Sequence, residues 1–343
     1  MMKLLSHQAY EKRVLVFIHH TGHLDFFEPI AAWFVNYNFT LISPGVGERE
    51  YYQHNISSLE NSHWVVDIEA IKPKISSFDL ILSYHAQNVR GHKMGLEILD
   101  AAKEVGLPTG ELQHGLFQLG FNSYHEPSKG MFFDESLPSK SQADFFISWF
   151  ADYKESITVG YPPFTNDNKK LDSFDRKSNT VILFTNLHWG AYSQIERLSV
   201  LTRIIAFINR NRNYNFLWKR HHGERNSAEV KKDIETAENL LGVMLSDFEN
   251  LTFVDEYVNV GRLVRLSSHC ISTVSTVLLD IEMYNRDAAI IVSNSTSDLV
   301  CKFNSYVDFS EINGLEDFRS IDSGYLRPFE PTALESFFDK LWS

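Results

Sequence analysis

The feature that most constrains this chain is a regular exchange of short β-branched or aromatic runs with longer helical stretches, set out in two blocks. Arg13–His20 (RVLVFIHH) reads as a buried strand, because a short apolar run stopped by Thr21-Gly22 has strand length rather than helix length. Asp25–Tyr37 then carries Phe26, Phe27, Ile30, Ala31 and Phe34 at helical spacing, with Pro29 in the first turn, where its missing N–H is not needed. Further strands are predicted at Phe39–Ile42, Trp64–Val66, Asp79–Tyr84, Thr109–Leu112, Ala143–Ser148 and Ile157–Val159. A helix over Gly95–Glu104 is stopped by Gly106 and Pro108. Strands separated by helices at this spacing lie parallel, joined by crossover connections.

The pattern then breaks. Gly160-Tyr161-Pro162-Pro163 opens a polar, charged stretch that runs to Asn179, after which the alternation restarts. Strands are expected at Val181–Thr185, Asn215–Trp218, Leu251–Val254, His269–Ser272 and Ala288–Val292, with helices at Gln194–Asn209, Ala228–Leu241, near Asn259–Leu266 and at Val277–Tyr284. The expected organisation is a first α/β domain over residues 1–162, a linker over 163–179, and a second α/β domain over 180–328. A helix within 329–343 would cross back to the first domain. Parallel sheets of this kind take ligands at the carboxyl ends of their strands, so the cleft of such a two-domain chain is the place to look for chemistry.

Composition narrows the function classes. With 43% hydrophobic and 22% charged residues the chain can build a core, which excludes a disordered scaffold. No apolar run approaches the ~20 residues of a membrane span, and the opening MMKLLSHQAYEKR does not read as a secretion signal. Two cysteines make no disulfide framework, so a cytoplasmic setting is expected. A net charge of −12 argues against nucleic acid as a partner. The amphipathic Ala333–Trp342 could rest on the inner face of a membrane, although packing on the protein explains it as well. There are also 14 histidines, and His19, His20, His23, His85, His92, His114, His188, His221 and His222 fall at or just beyond strand ends.

Four segments carry possible chemistry. The first, His19-His20-Thr21-Gly22-His23-Leu24-Asp25, offers three imidazoles and a carboxylate for general acid–base work, unless Asp25 is merely a helix cap. Without a Cys or a second His pair at ligand spacing, no metal is expected there. In the second, Gln113-His114-Gly115 follows a strand and could touch a polar ligand, or form an ordinary turn. The third, Lys219-Arg220-His221-His222, places two cations and two imidazoles at a strand end, which suits a phosphate or a solvated basic turn. In the fourth, Ser272-Thr273-Val274-Ser275-Thr276 precedes a helix and could hold an anion; Asn186, just after another strand, could complete that pocket. Neither a Gly-x-x-x-x-Gly-Lys nor a Gly-x-Gly-x-x-Gly turn occurs at a strand–helix junction, which disfavours NTPases and dehydrogenases.

Taken in order, these segments resemble the GT-B glycosyltransferases, which have two Rossmann-like domains with parallel sheets and bind a nucleotide-sugar in the central cleft. Thr21-Gly22-His23 with Pro29 looks like the acceptor-side loop of the first domain, and Val159-Gly160-Tyr161-Pro162 like the entry to the second. Lys219–His222 occupies the place of a Lys-Pro-His-Pro turn, with His222 where that pattern has proline. Ser272–Thr276, Val277–Tyr284 and Ala288–Ile291 are similar to the serine/threonine motif, acidic helix and following strand. The His turn and Ser/Thr motif resemble bacterial sialyltransferases and capsule Kdo transferases, which use CMP-sugars; Gln113-His114-Gly115 resembles CDP-glycerol glycerophosphotransferases. A nucleotide-sugar 2-epimerase shares the architecture.

The resemblance implies a metal-independent transfer, without a cofactor, of a sugar from a nucleotide-sugar to a surface-glycan or lipid-linked acceptor. It implies that Lys219, Arg220, His221, Ser272, Thr273, Ser275, Thr276 and Asn186 face the nucleotide and phosphates, with His23 and Gln113 on the acceptor side. The sialyltransferase acidic motif has no match, which leaves Asp25, His20 and His114 as candidates for the base.

Overall fold

The computed structural model describes residues 12–43, 61–65, 68–86, 93–116, 142–150, 156–165, 179–187, 192–255, 258–294 and 296–343. The polar stretch over 166–178, His92 and His188 lie outside them. The chain divides into two compact units. The first holds the described residues up to His114, those from 142 to 165, and Arg327–Ser343; the second holds the rest up to Leu326.

The first unit is built on a seven-stranded, wholly parallel sheet in the order β3-β2-β1-β4-β5-β6-β7. Its strands are β1 (Lys12–Phe17), β2 (Tyr37–Ile42), β3 (Ser62–Val65), β4 (Leu80–Ser83), β5 (Thr109–Leu112), β6 (Phe145–Ser148) and β7 (Ser156–Thr158). Val14 to Ile18 are all completely buried, as a central parallel strand covered on both faces requires. The register runs Phe17↔Ser83 between β1 and β4, and Ser83↔Glu111 between β4 and β5. The carboxyl ends of these three neighbours therefore lie level, and between β1 and β4 the strand order reverses direction.

Helix α1 (Thr21–Trp33) begins four residues earlier than the sequence suggested. His20 is extended at its N-terminal boundary and makes no side-chain cap, so Asp25 lies within the helix instead of capping it. Thr21-Gly22 fails to act as a stop because His23, Leu24, Phe26, Phe27, Ile30 and Ala31 are buried, and packing overrides the modest helix penalty of one glycine. Helix α2 (Lys93–Glu104) precedes β5.

The second unit carries a six-stranded sheet, β10-β9-β8-β11-β12-β13. It comprises β8 (Thr180–Thr185), β9 (Asn215–Arg220), β10 (Leu251–Phe253), β11 (His269–Thr273), β12 (Asp287–Ile291) and β13 (Arg319–Ser320). All pair in parallel except the two-residue β13, which is antiparallel to β12 at the edge and has no period to betray it in the sequence. Again the order reverses in the middle, between β8 and β11. Helix α3 (Gln194–Arg210) opens with a reciprocal Ser193–Glu196 capping box. The short α4 (His222–Asn226) leads into α5 (Ala228–Leu241), then come α6 (Val260–Leu266) and α7 (Val277–Met283). Arg197 of α3 and Asp233 of α5 form a buried ion pair at 2.8 Å beside a core built on Phe207, Phe216 and Trp218.

The final helix, α8 (Thr332–Trp342), belongs to the first unit. Leu334 and Phe338 are buried, the Phe338 ring lies 5.3 Å from Phe34, and Trp342 Nε1 donates to the Tyr37 hydroxyl at 3.1 Å. Part of this helix's apolar face therefore packs within the first unit. Among the described residues no helix is long and apolar enough to cross a membrane.

Candidate functional site

The level ends of β1, β4 and β5 gather five histidines. His19 and His20 follow β1, His23 stands in the first turn of α1, His85 follows β4 and His114 follows β5. Ring centroids are 3.7 Å apart for His20–His23, 4.5 Å for His19–His85, 4.7 Å for His85–His114 and 4.9 Å for His23–His114. His23 and His85 are buried, whereas His19, His20 and His114 are half-buried. Tyr84 stacks on His23 at 4.5 Å.

Local bonds hold these rings in place. Ser83 Oγ accepts the His85 N–H at 3.0 Å and donates to the His85 carbonyl at 2.7 Å, which pins the turn after β4. The His19 N–H reaches His23 Nδ1 at 3.2 Å. Burial pushes the His114 imidazole down to about 3; a hydrogen bond to the Tyr84 backbone works against that shift and neighbouring His19 adds to it. Burial, helped by the charge of Asp25, also raises the Tyr84 phenol well above its ordinary value.

The candidates from the sequence do not all face outward. Gln113 is buried, and its Oε1 accepts the Trp149 N–H at 2.7 Å, so it ties β5 to the end of β6. His23 is a buried wall of the cluster. His85 was recognisable only as one more histidine at a strand end; its proximity to His20 and His23 arises from the β1–β4 pairing.

A second constellation lies at the ends of β8, β9 and β11, the central neighbours of the second sheet. Lys219 and Arg220 are the last residues of β9 rather than a turn, and His221 caps α4, its Nδ1 accepting the Gly223 N–H at 3.2 Å. Lys219 Nζ reaches the Asp255 carbonyl at 3.2 Å, and the Arg220 guanidinium sits 4.9 Å over the Phe253 ring. The polar side chains at these ends divide into two groups. Ser272 Oγ donates to the Thr273 carbonyl, and Thr276 Oγ1 accepts the Leu116 N–H at 3.0 Å, both partners lying in the second unit. Thr273 Oγ1 and Asn186 Oδ1, by contrast, are buried atoms with no hydrogen-bond partner among the described residues. An unpaired buried acceptor or donor is costly, and a polar ligand arriving at these strand ends would satisfy both.

Glu224, the acidic end of the segment Trp218–Glu224 whose cations and imidazoles alone the sequence singled out, organises this edge from below. It is fully buried and accepts the Thr185 hydroxyl at 2.8 Å and the Leu187 N–H at 3.0 Å, while Trp218 Nε1 donates to the same Thr185 oxygen at 2.8 Å. Burial raises its pKa to about 6 from 4.5, despite those two bonds and the nearby Arg220 charge. Because the folded value is the higher one, the stabilisation is complete below pH 4.5 and disappears as pH rises through 6. The loss amounts to about 2 kcal/mol. Glu224→Gln is expected to flatten the wild-type fall in stability across that window in a pH series of urea denaturations. An identical slope in both proteins would contradict the assignment.

No protein-family model matches the sequence, and a search of curated proteins returns no match. Solved structures do match. MnaA of S. aureus, solved with UDP, superposes with a TM-score of 0.56 at 11% identity over 97% of this chain and 88% of its own. The UDP-GlcNAc 2-epimerase of Neisseria meningitidis, bound to UDP-GlcNAc, gives 0.55 at 11% identity over 96% and 91%. The wall teichoic acid polymerase TagF gives 0.52 at 13% identity over 97% and 88%. With its two parallel-sheet α/β units, the chain has the GT-B fold expected from its sequence.

Proposed function

We propose that the protein is a group-transfer enzyme that takes a sugar from a nucleotide-sugar and delivers it to a hydroxyl of a cell-surface glycan or lipid-linked acceptor. The observation that carries this reading is the second-unit constellation. Lys219 and Arg220 end β9 and His221 follows them, on the same edge as Asn186 and Thr273, whose buried polar atoms await partners. In this reading Lys219 and Arg220 offset the negative charge that develops on the departing phosphate, while Asn186, Thr273, Ser275 and Thr276 line the nucleotide and phosphates. His114 takes the acceptor's proton in the first unit, with Asp25 and His20 beside it.

The donor is best placed among nucleoside diphosphate sugars. Two of the matched structures carry UDP and UDP-GlcNAc, and nothing among the matches supports the CMP-sugar drawn from the resemblance to sialyl and Kdo transferases. Because two of those structures are a UDP co-structure and an epimerase, 2-epimerisation is the second reading. An epimerase acts on donor alone, whereas a transferase needs an acceptor for efficient turnover.

Binding is tested by thermal denaturation with UDP, CDP, CMP and GDP. A ligand at 100 times its dissociation constant stabilises by about 2.7 kcal/mol. Stabilisation by a nucleoside diphosphate, diminished in Arg220→Ala, is expected. Silence from all four nucleotides would overturn the reading, and stabilisation by CMP alone would return the donor to the CMP class.

A further inference from the structure

We propose that His20, His23 and His85 form a binding site for a divalent transition-metal ion of the zinc or nickel kind. One ligating nitrogen from each of the three lies within 4.8 Å of the others, the only such group of three among the described residues. Absence of a second histidine pair at ligand spacing disfavoured metal in the sequence; pairing of β1 with β4 supplies the missing ligand from far along the chain.

The geometry needs only side-chain movement. An ion about 2.0–2.1 Å from each nitrogen in a tetrahedral site requires nitrogens roughly 3.3 Å apart. The rings must therefore close by at most about 1.5 Å, within reach of small χ rotations. Their backbones are well placed for this: His20 and His23 flank the first turn of one helix, and Ser83 clamps the His85 turn from both sides. His23 accepts the His19 N–H at Nδ1, which puts its lone pair there and its proton on Nε2. A neutral imidazole of this tautomer is a form that ligates metal.

Three imidazoles without a carboxylate select the class of ion. Imidazole suits zinc, copper, iron and nickel, whereas magnesium and calcium require oxygen ligands. Three protein ligands also leave a coordination position open, the arrangement of sites that hold water or substrate. His114 stays outside the group of three. The site stands on the geometry of its three imidazoles, whatever the identity of the donor.

The test is isothermal titration of the full chain with Zn²⁺ after chelator treatment, with Co²⁺ absorption as a second probe. One equivalent is expected to bind with micromolar or tighter affinity, and Co²⁺ to show the intense visible bands of a four-coordinate site. His20→Ala and His85→Gln are expected to weaken binding at least 10-fold. His63→Ala, an exposed histidine paired with Asn38 and remote from this cluster, is expected to bind as wild type. No binding tighter than millimolar, or equal affinity in wild type and both variants, overturns the proposal. If circular dichroism shows His85→Gln misfolded, the half-buried His20→Ala decides alone. A chain that binds zinc but turns over no nucleotide-sugar would sink the proposed function and leave this site standing.

Discussion

Replacing His114 by alanine is expected to lower nucleotide-sugar turnover by about 10²- to 10⁴-fold, the usual worth of a positioned general base. Stabilisation by nucleotide should stay close to wild type, because the donor's phosphates are assigned to the other sheet. His114 lies two residues beyond the end of β5, next to the strand pair where the first sheet reverses direction, and it is half-buried where His23 is closed off. In the free protein burial holds the imidazole neutral, with a pKa of about 3. Such a group is ready to receive a proton but accepts it weakly. Full turnover in His114→Ala would exclude it and move the role to Asp25 or His20.

The second large effect concerns folding. Gly160→Ala is expected to destabilise the first unit by about 3–5 kcal/mol and lower its Tm on the order of 10 °C. Gly160 has φ +77°, a conformation that costs an L-residue roughly 1–2 kcal/mol. More importantly, a methyl group there would overlap the Pro328 carbonyl. At this crossing the C-terminal segment is laced back to the end of β7. Tyr161 N–H donates to the Arg327 carbonyl at 2.9 Å, Glu330 N–H to Val159 at 2.7 Å and Phe329 N–H to Phe164 at 2.9 Å. Forcing the strands of this crossing apart loosens those bonds and the anchoring of α8 through Leu334 and Phe338. Gly242 provides the control: its φ is +64°, but nothing lies within 4 Å of an added Cβ, so Gly242→Ala should show the backbone penalty alone. Equal losses from the two substitutions would refute the overlap argument.

Much of this architecture is written in local pattern. Thr109–Leu112 and Ala228–Leu241 begin and end where the sequence predicts, because Pro108 closes the turn before one, and Ser227 and Gly242 bound the other. Where two signals compete, the local one misleads. Gly22 looked like a stop until the buried face of α1 outweighed it, and Lys219 and Arg220 looked like turn residues although the pairing of β8 with β9 extends through Arg220. The sites divide the same way. Strand-end histidines and cations stand out along the chain, but which of them meet depends on strand order, and no spacing encodes that. His85 joins His20 and His23 only because β4 lies against β1, and Glu224 matters only because a short helix carries it beneath Thr185 and Leu187. Conversely, Gln113 advertised chemistry and turned out to hold two strand ends together.

The central claim is that this chain activates a nucleotide-sugar on its second sheet and delivers the sugar with the help of a first-sheet histidine. Its most direct test is product analysis by NMR after incubation with UDP-, CDP- and CMP-sugars, with and without a mixture of glycan and lipid-linked acceptors. The account predicts release of nucleoside diphosphate that rises strongly with acceptor, yields a new glycosidic bond and collapses in His114→Ala. A product whose sugar is epimerised with donor alone, or no conversion of any donor in the presence of acceptor, would contradict it.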